Sequence, residues 1–94
     1  MLTSSELRQR QIADAMALND LTDEMSRARE KHGDYSLDGK AMTDVTRLAA
    51  LMEEVGEVGR AMTYDKDHGG ELRKELIQVA NVAITWATTL PRPE

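Results

Sequence analysis

Glu53, Glu54 and Glu57 stand close together in the chain, and farther on Glu75 is followed three positions later by Gln78. Acidic side chains one helical turn apart share a helix face. Two such pairs on neighbouring helices make an oxygen-rich pocket suited to Mg2+ rather than to zinc. A hard cation in that setting implies phosphate chemistry: bare carboxylates repel a polyphosphate, and bound Mg2+ inverts the local field. Basic side chains must then hold the remaining phosphate charge.

Helices must position these groups. The spacing of apolar residues predicts three, over residues 5–31, 43–64 and 71–90, and so an all-α chain. In the first, Ser4 or Ser5 can cap the start, and Leu18, Leu21, Met25 and Ala28 form a stripe; the early half is less clearly patterned. In the second, Val45, Leu48, Leu51, Met52, Val55, Val58 and Met62 fall on one arc and the glutamates on the other side, with Glu54 near the apolar boundary. A solvated acidic face would look the same. The third, containing LIQVANVAITWATTL, is the most apolar and is expected to be central, with Pro91 ending it. Glu75 lies there between the columns of Val82 and Trp86. A shielded carboxylate needs a cation, a metal or strong donors beside it, and Arg60 is one such cation. Gln78, Asn81 and Thr85 form a polar seam that suits either interhelical hydrogen bonding or ligand contact.

The chain has 94 residues, one domain spanning 1–94, and a segment so short buries little surface, which favours a homodimer or homotetramer. With 3% aromatic residues and no Phe, the core is expected to be aliphatic and Met-rich. Twelve Lys and Arg against 17 Asp and Glu give a net charge of −5, a poor match for nucleic acid or anionic membranes. The absence of Cys excludes disulfides and thiolate chemistry. A polar amino terminus and the lack of a long apolar run predict neither signal peptide nor membrane span, hence a cytoplasmic protein.

EEVGEVGRAM at 53–62, followed by ELRKELIQVANVAITWA at 71–87, resembles the MazG-like family of all-α nucleoside triphosphate pyrophosphohydrolases, and REKHGDYSLDG at 29–39 looks like the entry loop of short, phage-type members. The likeness covers most of the chain after Arg29. It implies an antiparallel helical-bundle subunit that oligomerises, and hydrolysis of a nucleoside triphosphate to the monophosphate and pyrophosphate with Mg2+, or Mn2+, as cofactor. The family pattern, ExxE then ExxD, carries over to Glu54 and Glu57 and then to Glu75 with Gln78, where Asp would normally stand. An amide oxygen still coordinates a hard cation, although one negative charge is lost. Glu53 is the candidate to orient or deprotonate the attacking water.

Lys31, Lys40, Arg60 and Lys74 are the candidate phosphate ligands, with Lys31 and Lys40 flanking a Gly-containing loop that could close over a nucleotide. Tyr35 in that loop is the aromatic best placed to meet a base, ahead of Trp86, and Asn81 could meet a base edge. A ferritin-like di-iron site fails, since neither His32 nor His68 has Glu three residues before it. DKDHGGEL fails as a calcium loop, with Gly69 at a ligand position and no Glu at the twelfth. The competing reading is a non-catalytic helical interaction module whose metal site has decayed at Gln78.

Overall fold

The computed structural model describes residues 1–63 and 70–93, and among these the chain is all-α. Helix α1 spans Ser4–His32, a 3-10 turn follows at Gly33–Tyr35, α2 spans Asp44–Thr63 and α3 spans Glu71–Ala87. The connection through 64–69 lies outside the described residues, and with it the predicted end of the second helix, His68 and the DKDHGG spacing.

Local chemistry sets the helix ends. The cap of α1 is Thr3 rather than Ser4 or Ser5: its hydroxyl accepts from the Glu6 amide at 3.1 Å. Thr43 does the same for α2, accepting from the Thr46 amide at 3.2 Å. α3 stops at Ala87, short of Pro91, because the Thr88 and Thr89 hydroxyls donate to the carbonyls of Thr85 and Trp86, each at 2.7 Å, and draw the chain into a turn.

α3 packs against both other helices, whereas among the described residues α1 and α2 do not pack on each other. The central place expected for the most apolar helix is therefore the one it takes. The Trp86 indole N–H donates to Asp44 Oδ1 at 2.9 Å, and Glu54 faces Glu75, so α2 and α3 run antiparallel. Arg73 meets Asp20 at 2.9 Å while Gln78 and Glu24, farther along each helix, line one cavity, so α1 and α3 run parallel. An up-down-up arrangement results. Its 29-residue first helix is about 44 Å long and runs on past the start of α3, leaving Leu7, Ile12 and Met16 exposed.

Among the described residues the expected Met-rich core is not found. The buried hydrophobic residues are Ala61 and Val82, while Met16, Met52 and Met62 are each more than 60% exposed. The reason lies in how α2 is turned: Arg47, Ala50, Glu54 and Ala61 face inward, and Val45, Leu48, Met52, Val55 and Met62 face out.

Segment 33–43 is stitched down. Gly33 has φ +57°, a left-handed geometry that favours glycine, and a Cβ on Gly39 would lie 2.1 Å from the Asp34 carbonyl oxygen. Arg29 Nε donates to Asp38 Oδ2 at 2.6 Å and the buried Ser36 hydroxyl to Asp38 Oδ1 at 2.9 Å. From α2, the buried Arg47 donates to the Leu37 carbonyl at 2.5 Å, the Gly39 carbonyl at 3.4 Å and Asp44 at 2.9 Å. Arg47→Met keeps the stem but leaves carbonyls without their donor, so it is expected to lower unfolding free energy by about 2–3 kcal/mol in denaturant titration. An unchanged midpoint would mean that the loop holds without Arg47.

Candidate functional site

α3 is the floor of a cavity of about 260 Å3, α1 and α2 are its walls, and the stitched loop is its lip. Glu24, Ala28 and His32 come from α1, Ala50 and Glu54 from α2, and Gln78, Asn81 and Val82 from α3, while Tyr35, Ser36, Leu37 and Met42 close the loop side. The gap exists because α1 and α2 each pack on α3 and not on one another.

Glu54 and Glu75 meet across the α2–α3 interface. Burial pushes the Glu54 carboxyl above its ordinary 4.5; the Glu75 charge, then the Glu53 charge, hydrogen bonding with Glu75, and the Glu57 charge add to it. Glu57 and Glu75 are half-buried and Glu53 is exposed. Among the described residues no three acidic or histidine side chains are gathered closely enough to hold an ion as they stand. A facing, partly desolvated carboxylate pair is donor chemistry of the kind that a divalent cation neutralises.

The raised Glu54 carboxyl has a consequence for stability. Between 4.5 and its raised value the folded chain binds more protons than the unfolded chain, so stability falls as pH rises through that interval. Thermal melts in chelator should show this fall, and Glu54→Gln should flatten it. A slope that survives the substitution would assign it to another group.

The other expected site residues are spread more widely. Gln78 is half-buried at the cavity. Asn81 is 4% exposed, lines the cavity and accepts from the Thr85 hydroxyl at 3.1 Å, so it serves the seam and the cavity wall together. Tyr35, 73% exposed, stands at the lip. Lys74 is exposed in an adjoining hollow with Arg27 and Arg73. Lys31 is exposed at the end of α1, and Lys40 lies 3.8 Å from Asp34. Arg60 is exposed beside Gly56, Gly59 and Thr63, and among the described residues no ion pair joins it to Glu75. Trp86 is committed to Asp44. The loop that could have closed over a ligand is already pinned to α1 and α2.

Four charged residues of this region were not singled out by the sequence: Asp20, Glu24, Arg27 and Arg73. Glu24 is the clearest omission. Burial works to raise its carboxyl, but hydrogen bonding from Arg27 and Gln78, with the Arg27 and Lys74 charges, brings it below its ordinary 4.5. Arg27 Nε donates to Glu24 Oε2 at 3.1 Å and Nη2 to Oε1 at 2.5 Å.

Among the described residues no helix is long and apolar enough to cross a membrane. No family model matches the chain, and no curated protein or solved structure proved similar to it.

Proposed function

We propose that the chain is a Mg2+-dependent nucleoside triphosphate pyrophosphohydrolase that works as a homo-oligomer. The observation that carries this is the partly buried Glu54 on α2, which feels the Glu75 charge from α3 at a cavity that Glu54 lines with Gln78 and Asn81. It agrees with the order of acidic residues that resembles the MazG-like family.

In this reading Glu54, Glu57, Glu75 and the Gln78 carbonyl hold the cation, which supplies charge neutralisation and activation of water when bound. Glu53, exposed one residue before Glu54, takes the proton from the attacking water. Lys74 sits in the hollow where Arg27 and Arg73 are paired with Glu24 and Asp20, and in this reading it is the cation there that receives phosphate oxygens. Lys31, Lys40 and Arg60 lie outside that hollow and are the weaker candidates. Tyr35 at the lip and Asn81 in the wall are placed to meet a base.

The test is incubation of the full chain with canonical and modified nucleoside triphosphates and Mg2+, following pyrophosphate. Release above a Glu54→Ala control supports the reading; none above it rejects the reading. Gln78 at the usual Asp position, and the lack of three converging acids among the described residues, favour the second reading, a helical interaction module with a decayed site. Titration with Mg2+ separates the two, because a decayed site shows no binding that depends on Glu57 and Glu75.

A further inference from the structure

Asn81 is 4% exposed, and the hydroxyl of the equally buried Thr85, one turn along α3, donates to its Oδ1 at 3.1 Å. The oxygen end of the amide is thus turned along the helix, and the NH2 end has no hydrogen-bond partner among the described residues. No fully enclosed side-chain nitrogen or oxygen among those residues lacks a partner, so this NH2 group keeps access to open space. The space that Asn81 lines is the cavity of about 260 Å3. A donor held there calls for an acceptor from outside the chain.

The cavity restricts what that acceptor belongs to. Its volume lies just below the roughly 300–1,000 Å3 of sites for drug-sized molecules, so it admits one ring system and leaves a long charged chain outside. Glu24 and Glu54 in the lining turn away an anionic portion, while Ala28, Leu37, Met42, Ala50 and Val82 offer apolar surface to a flat ring. Tyr35 stands at the mouth and Asn81 on the floor. A base whose sugar and phosphates remain outside therefore reaches Asn81 with the edge farthest from the sugar, which carries the exocyclic group at C6 of a purine or C4 of a pyrimidine. An oxo group there accepts from the Asn81 NH2, whereas an amino group sets two donors against each other. We propose that the cavity takes a nucleobase with an oxo group on that edge (uracil, thymine, hypoxanthine or guanine) and that the Asn81 NH2 group selects it. This rests on the nucleotide reading given under Proposed function, deepens it to a substrate class, and needs no cation.

Calorimetric titration of the full chain with free nucleosides in chelator reads the base step apart from metal and phosphates. Inosine should bind about tenfold tighter than adenosine, and uridine about tenfold tighter than cytidine, the scale of one hydrogen bond left unmade. Asn81→Asp keeps the shape and the bond from Thr85 but offers an acceptor in place of the donor, so it should reverse the order within each pair. Thr85→Val keeps the NH2 group and frees the amide to turn, so it should bring the two members of each pair close to equal affinity. Circular dichroism melts show which variants are folded, and Thr85→Val carries the test if Asn81→Asp unfolds the chain. Equal binding of oxo and amino nucleosides by the parent, or an oxo preference that folded variants leave untouched, overturns the role of Asn81. No nucleoside binding in chelator, with Mg2+-dependent pyrophosphate release present, overturns the cavity as the base site and leaves the hydrolase standing. An oxo preference that depends on Asn81, without such release, supports the cavity and overturns the hydrolase; absence of both overturns the two together.

Discussion

Glu54→Gln should lower Mg2+-dependent pyrophosphate release by about 100-fold or more, while the metal-free protein melts no lower than the parent. The two effects have one cause. In the metal-free chain the Glu54 carboxyl is raised by burial and by the Glu75, Glu53 and Glu57 charges, so an uncharged isostere relieves repulsion. On the proposed metal-site reading, the same substitution removes a charge that the cation needs. Rate and melting temperature measured on one preparation would separate loss of chemistry from loss of fold. A variant that turns over like the parent would remove Glu54 from the site.

The second large effect concerns the outer face of α2. Val45, Leu48, Met52, Val55, Gly59 and Met62 recur at alternating three- and four-residue spacing, the pattern of a helix seam that meets another helix. The large side chains among them are 48–80% exposed, and a Cβ added at Gly56 or Gly59 would meet nothing within 4 Å. The proposed occupant is a second copy of the chain, for which a subunit with so few buried apolar residues has the greatest need. Met52→Glu combined with Val55→Glu should bring the mass in light scattering down to the 10.5 kDa subunit and lower the melting temperature sharply. Gly59→Ala sharpens the test. In an isolated helix it would stabilise by about 1 kcal/mol, whereas on a packed seam it obstructs close approach and weakens assembly. A parent that sediments as a monomer, and gains stability from Gly59→Ala, would show the face to be open.

The same seam marks where sequence reasoning stopped. Helix type and order were legible because apolar spacing along α2 and α3 fits one period, and α3 was expected to be central because little of its surface is charged. Glu75 stood out as a carboxylate among apolar columns, and it is half-buried. The direction in which α2 turns was not legible: the wheel separates two faces but does not say which meets α3. Here the face with Arg47, Glu54 and Ala61 does so. Glu24 was missed although the reasoning applied to Glu75 reaches it, since it falls three residues after Leu21 and four before Ala28 in the stripe of α1. The cavity that it lines with residues of α2 and α3 is set by how the helices pack, and that packing is not written in the periodicity of any one of them. The end of α3 was displaced for a local reason, two threonine hydroxyls acting before the proline.

The pinning of segment 33–43 has a kinetic meaning. With Asp38 tied to Arg29, and the Leu37 and Gly39 carbonyls tied to Arg47, the rim that carries Tyr35 has already given up its conformational freedom before any ligand arrives. A molecule entering there meets a ready-made doorway, so selection falls on its size and outline at the threshold, and encounter need not wait for a flap to swing.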